Sequence, residues 1–166
     1  MAQDWVKIKT SIWMDSDFTN LPSEAQRVYH LIIEQPEVTL CGVLQPAYKR
    51  WSRFATDSTI EGIELAVSIL RARSFVEIDE DMDELLIRSF VRHGVALSSE
   101  NAIVGMSRAF ETIHSEVLRK VVMEELRKVD DQDLKNRLSR TVPDGEKRPL
   151  RERLSNSFLM AWDGTS

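Results

Sequence analysis

Between Leu21 and Phe90 the apolar residues change period in a fixed order, and that order constrains the fold of this chain more than any other feature. Leu21-Pro22-Ser23 opens a helix. Ser23 and Gln26 have the spacing of a capping box, and Ala25, Val28, Tyr29 and Ile32 form one stripe that ends near Gln35-Pro36. After the short apolar run Cys41-Gly42-Val43-Leu44, Pro46 suits the first position of a second helix with Ala47, Trp51, Phe54 and Ala55 inward. Ser58 and Glu61 make a second capping box for a third helix, whose seam is Ile60, Ile63, Val67 and Leu70. Phe75-Val76-Glu77-Ile78 and Leu85 to Phe90 then read as two strands joined by the acidic turn Asp79 to Glu84.

Ahead of this series, Trp5-Val6-Lys7-Ile8-Lys9 alternates apolar and basic residues and leads to Ile12-Trp13, which predicts a strand. A strand, three short helices and a hairpin give the order of a winged helix-turn-helix domain. Beyond Gly94 the period becomes helical. Ile103, Met106, Phe110 and Ile113 share one stripe, and Leu118, Val121, Val122 and Leu126 share another that Ser115 can cap. Asp130 to Asp133 reads as a hinge, Thr141 to Pro149 as a flexible linker, and Leu150 to Trp162 as a last amphipathic segment. The expected fold is therefore mainly α with a small β-hairpin: a winged-helix domain over residues 1–95, a helical hairpin on it over 96–131, and a basic linker with a C-terminal amphipathic helix over 132–166.

At 166 residues and 42% hydrophobic content the chain can bury a substantial core. Its single cysteine, Cys41, cannot close an internal disulfide, and Met1-Ala2-Gln3-Asp4 lacks the regions of a signal peptide, so a cytoplasmic protein is expected. No apolar run approaches the roughly 18 to 20 residues that span a bilayer, so no membrane partner is expected. The three histidines stand far apart, the acidic turn lacks the glycine and terminal glutamate of a calcium loop, and no phosphate-cradling or nucleophile motif occurs. The expectation is a non-enzymatic protein without metal or cofactor.

The net charge of −5 means that any contact with nucleic acid must be local. Residues 1–95 carry 10 basic and 15 acidic side chains, whereas residues 96–166 carry 12 of each. Lys49, Arg50 and Arg53, on the flank of the second helix away from Trp51, are candidate phosphate contacts. Lys7, Lys9, Arg88 and Arg92 are further candidates. The most basic window runs from Lys135 to Arg153, where seven cations face three acids, and Lys147, Arg148, Arg151 and Arg153 are its candidate DNA contacts. At 100° per residue the third helix turns Glu61, Leu65, Ser68, Ile69 and Ala72 outward, a face better suited to a protein than to phosphates. Leu65, Ile69 and Ala72, with Phe158 and Trp162 of the last segment, are the candidate partner or oligomer surface.

Trp5-Val6-Lys7-Ile8, Ile12-Trp13, Leu21 to Gln26, Gly42-Val43-Leu44, Arg50-Trp51 and Leu85 to His93 together resemble the amino-terminal winged-helix domain of small replication proteins of actinobacterial phages, akin to the DnaD-type primosome and replisome-organiser group. The likeness covers Asp4 to about Val129. It implies a phage or prophage protein of the bacterial cytoplasm that binds duplex or single-stranded DNA, or helps to load replication machinery. It also implies a homo-oligomer with a replication or host protein as partner. In that group a helical Tyr-xxx-Ile-xxx-Trp pattern accompanies DNA interaction; Leu154, Phe158 and Trp162 share its spacing and its final residue. A phage transcriptional regulator and a protein-interaction module are the alternatives.

Overall fold

In the computed structural model, which describes residues 6, 8–93, 99–129 and 150–164, regular structure begins with a 3-10 turn over Thr10–Met14. The strand expected to run through Ile12-Trp13 is not formed there. Trp13 instead lies edge-on to Phe18, at 5.5 Å between centroids, and stacks on His30. Asp15 caps α1 (Ser16–Thr19) by accepting from the Asp17 N–H at 2.9 Å, and Phe18 is buried. The next helix, α2 (Ser23–Ile33), buries Ala25, Val28, Tyr29 and Ile32 as its stripe requires. Its capping box is absent: the Gln26 amide donates to the carbonyls of Phe18 and Leu21, which ties α1 to α2.

A two-residue strand, β1 (Val43–Leu44), precedes α3 (Tyr48–Trp51), which a 3-10 turn over Ser52–Phe54 prolongs. Trp51 is buried, but Phe54, expected inward, is 55% exposed. Between α3 and the next helix Thr59, and not Ser58, is the cap. Its hydroxyl accepts from the Gly62 N–H at 3.0 Å to start α4 (Ile60–Ala72), while Ser58 accepts from Arg27. Along α4, Ile63, Ala66, Val67 and Leu70 are buried, whereas Ile60 in the unpacked first turn is partly exposed.

The hairpin follows as β2 (Val76–Asp79) and β3 (Glu84–Ile87). The second strand ends at Ile87, short of the expected Phe90, and Arg88–His93 form α5. Helical spacing there brings Arg88 and Arg92 to one carboxylate, that of Glu125, which a strand would not do. Next come α6 (Glu100–Glu111) and α7 (Glu116–Arg127), capped by Ser99 and, as expected, Ser115. After a 3-10 turn at Leu150–Arg153, Ser155 caps α8 (Asn156–Asp163). The expected hinge at Asp130 to Asp133 and linker at Thr141 to Pro149 lie outside the described residues.

The sheet has the order β1-β3-β2 with both pairings antiparallel, and Leu86 faces Val43 on one side and Glu77 on the other. Helix, strand, two helices and hairpin, with the first strand beside the last, make a winged-helix-like, mainly helical fold with a helical C-terminus. Successive residues of a strand point to opposite faces. Leu44, Leu85 and Ile87 accordingly join the cluster of α1 to α4, while Val43 and Leu86 join the cluster of α6, α7 and α8. The small sheet is thus a partition between two helical layers, and every residue of β3 is buried.

Gly42 leads into that partition with φ of 77°, and a Cβ there would stand 2.7 Å from the Phe90 Cβ, so both conformation and space call for glycine. Among the described residues no helix is long and apolar enough to cross a membrane.

Candidate nucleic-acid interface

Trp51 fixes how α3 presents its other side chains. Its indole is fully buried, and Tyr48, one turn earlier, packs edge to face against it at 5.7 Å and 84°. With Trp51 inward, Lys49, Arg50 and Arg53 emerge on the exposed flank. They rim an open groove of about 640 Å³ between α3 and the start of α4, floored by Pro46, Ala47, Ile60 and the Tyr48 ring, with Glu64 on the far side.

The three cations are not equivalent. Arg50 is held by Glu37, with Nη1 to Oε1 at 2.6 Å, and its Nη2 reaches the Gln35 amide oxygen at 3.4 Å. Lys49 and Arg53 have no acidic partner among the described residues, and both are exposed. Acidic groups act on the Tyr48 ring from α4 and the wing. Burial pushes the Tyr48 phenol above its ordinary value, and the carboxylates of Glu64, Glu80 and Asp83 push it further. Asp83 is held by the Gln45 amide, which donates to its Oδ2 at 2.7 Å.

The outer face of α4 carries Glu61, Glu64 and Leu65, the last 63% exposed. Ser68, the neutral polar group there, donates its hydroxyl to the Leu65 carbonyl at 2.7 Å. Such a face has acceptors but few donors for base edges, and it repels phosphate. Ala72 is exposed, while Ile69 is half-buried against the α1 to α4 core.

The wing is held from behind. Two of its acids, expected in a solvated tip, dock on the helical layer: Glu84 is buried and accepts from the backbone N–H groups of His114 and Ser115, the latter at 2.9 Å. Asp79 Oδ2 accepts from the Ser115 hydroxyl at 2.6 Å, a bond that holds its pKa below the usual carboxylate range. These carboxylates lie at the N-terminus of α7, where the helix dipole favours negative charge. Only Glu80, Asp81, Met82 and Asp83 are left exposed at the tip.

Neither a family model, nor a curated protein, nor a solved structure matches this chain. The site therefore rests on its own geometry.

The remaining cations expected to meet DNA are mostly engaged within the fold. Arg88 and Arg92 meet the buried Glu125 at 2.9 and 2.7 Å, and Lys128 meets it at 2.9 Å. Burial raises the Glu125 pKa, but the hydrogen bonds from Lys128 and Arg88 and the charge of Arg92 outweigh it and leave the group below its ordinary value. Arg151 pairs with Asp163 inside the last segment, whereas Arg153 meets Glu100 at 3.2 Å and Asn101 at 2.6 Å and so ties that segment to α6. Lys7, Lys147 and Arg148 lie outside the described residues, and Lys9 is exposed beside the Thr10 turn.

The apolar pair of the last segment is not a free surface. Phe158 is fully buried, edge to face with Phe110 at 5.6 Å, because its helix packs on α6 and α7. Trp162 is partly buried under the Arg127 guanidinium, which stands 5.8 Å from its ring. Among the described residues no three histidine, cysteine or carboxylate groups are arranged to hold a metal ion. Burial pushes the Cys41 thiol up to about 12, and it donates to the Met106 carbonyl, so it is no nucleophile at neutral pH.

The sequence reading did not single out Tyr48 and Glu64 as groove residues, and it put Ile60 in the core. Tyr48 was detectable as the aromatic residue three before Trp51.

Proposed function

We propose that this chain is a non-enzymatic DNA-binding protein that meets the sugar-phosphate backbone with the α3 flank of its groove, and that it serves phage or prophage replication as its sequence resemblance implies. The observation that carries the reading is the pair Lys49 and Arg53, exposed on one groove rim and lacking an acidic partner among the described residues. Each phosphate neutralised releases condensed counterions, so affinity falls with salt by about 0.9 log units per log unit for each contact on duplex DNA. The double substitution Lys49→Ala with Arg53→Ala is expected to weaken binding and lower that slope by roughly two. Anisotropy titrations of labelled DNA at several salt concentrations measure it, and an unchanged slope removes α3 from the interface.

The regulator alternative draws little support, since α4 offers Glu61, Glu64 and Leu65 where base-reading donors would stand. A protein-interaction role is favoured by one observation, the 63% exposure of Leu65 between those acids. Leu65→Glu is expected to leave melting within about 0.5 kcal/mol of the parent, as for other surface positions, while abolishing any oligomer or partner complex built on α4. Sizing by light scattering decides: an assembly unaffected by the substitution rules that surface out.

A further inference from the structure

We infer that the groove between α3 and α4 takes a single-stranded polynucleotide, whose bases stack on Tyr48 within it and on Phe54 beside it while Lys49 and Arg53 hold its phosphates. The inference rests on the DNA-binding reading above and narrows it.

Its first ground is the distribution of charge around one groove. Lys49 and Arg53 stand on one rim, Glu64 on the opposite wall, and Glu80 and Asp83 close enough to Tyr48 to act on its phenol. A duplex carries about one negative charge per 1.7 Å of its axis on two strands. With one strand along α3, the other would lie against α4 or the wing, where Glu61, Glu64, Glu80, Asp81 and Asp83 repel it. A single strand follows the cationic rim alone.

The second ground is aromatic. Phe54 is 55% exposed and belongs to neither core cluster, so more than half of its surface is open to solvent. It does not itself line the groove but directly follows Arg53, which does, and lies one turn beyond Arg50, while Tyr48 is among the lining residues. Aromatic rings flanked by unpaired cations are the elements with which proteins hold single strands without reading sequence. Stacking supplies affinity and the cations supply salt dependence.

The test uses the full chain with labelled oligo(dT), oligo(U) and a mixed-sequence duplex in anisotropy titrations, for the parent, Phe54→Ala, Phe54→Trp and the Lys49→Ala, Arg53→Ala pair. Phe54 is more than half exposed and lies outside both core clusters, so its variants should fold, and circular dichroism verifies that. The expected result is tighter binding to the single strands than to duplex. Phe54→Ala should weaken the single-strand complexes about tenfold and Phe54→Trp should restore them, with duplex affinity unmoved. Equal binding to oligo(dT) and oligo(U) fits stacking without a contact to the 2′-hydroxyl, and a preference between them names the sugar that is recognised; both uphold the inference. Duplex preference, or a Phe54→Ala protein that binds single strands like the parent, overturns the inference and leaves the DNA-binding reading standing if the cation pair still matters. Absence of binding to all three probes at low salt overturns both.

Discussion

Glu125→Gln is expected to lower stability by about 3 kcal/mol, which for a chain of this size corresponds to a fall in Tm of roughly 6 to 12 °C. The Glu125 side chain is 1% exposed and balances Arg88, Arg92 and Lys128 at once. Glutamine keeps the shape but leaves three cations facing one another with no counter-charge. Removing one partner of a buried pair costs about 3 to 5 kcal/mol. The lower figure applies because Arg92 and Lys128 are partly exposed and can turn to water.

The parent should also lose this stabilisation in acid. The folded-state pKa of Glu125 is lower than its ordinary value of 4.5, so its contribution is complete above that value and disappears as pH falls through the folded one. Thermal unfolding followed by circular dichroism between neutral and acid pH should therefore show the gap between parent and variant closing at the acid end. A Tm unchanged by the substitution at neutral pH would mean that the three cations are solvated and that α5 and α7 are held together by apolar contacts alone.

Phe158→Ala is expected to cost about 3 to 4 kcal/mol, in the range for removing a buried aromatic ring. Phe158 is at zero exposure and touches Phe110 edge to face, within the cluster that also holds Leu150, Leu154, Leu118 and Val122. The loss should show at a particular place. Arg153 is tied to Glu100 and Asn101 of α6 while α8 is docked, and it becomes accessible to trypsin once α8 undocks. Cleavage after Arg153 should thus be much faster in the variant, and equal resistance in both proteins would place the anchor of α8 elsewhere.

Local signals were the most legible part of the sequence. The stripe of α2, the inward face of α4 from Ile63 onward and the cap at Ser115 all follow from helical period and side-chain hydrogen bonding, which neighbours in sequence control. Boundaries were less legible where a distant partner decides them. Arg88 leaves the strand period because Glu125, 37 residues later, draws it and Arg92 into helical register. Gln26 serves the α1 carbonyls in preference to its own helix, and Thr59 caps α4 because Ser58 receives Arg27.

The candidate site divides in the same way. Lys49, Arg50 and Arg53 could be placed on one flank by their spacing from Trp51, but that Glu37 occupies Arg50 depends on a loop no period describes. Phe158 looked like a surface residue because a stripe with spacing of four does not say which layer will cover it. A trace of the second layer was present in Leu85-Leu86-Ile87, three apolar residues in succession where a one-sided strand would alternate.

The two-faced sheet also bears on the order in which the protein can form. Leu86 and Phe158 belong to one cluster but are separated by about 70 residues of chain, which at about 5 to 20 residues per second takes roughly 4 to 14 s to synthesise. During that interval the α1 to α4 side of the sheet can pack at once, while Val43, Leu86 and Val91 gain α6 and α7 first and α8 only at its end. The nascent chain therefore carries an apolar face whose cover is complete only when α8 arrives, the kind of transient exposure that makes a folding chain prone to aggregation.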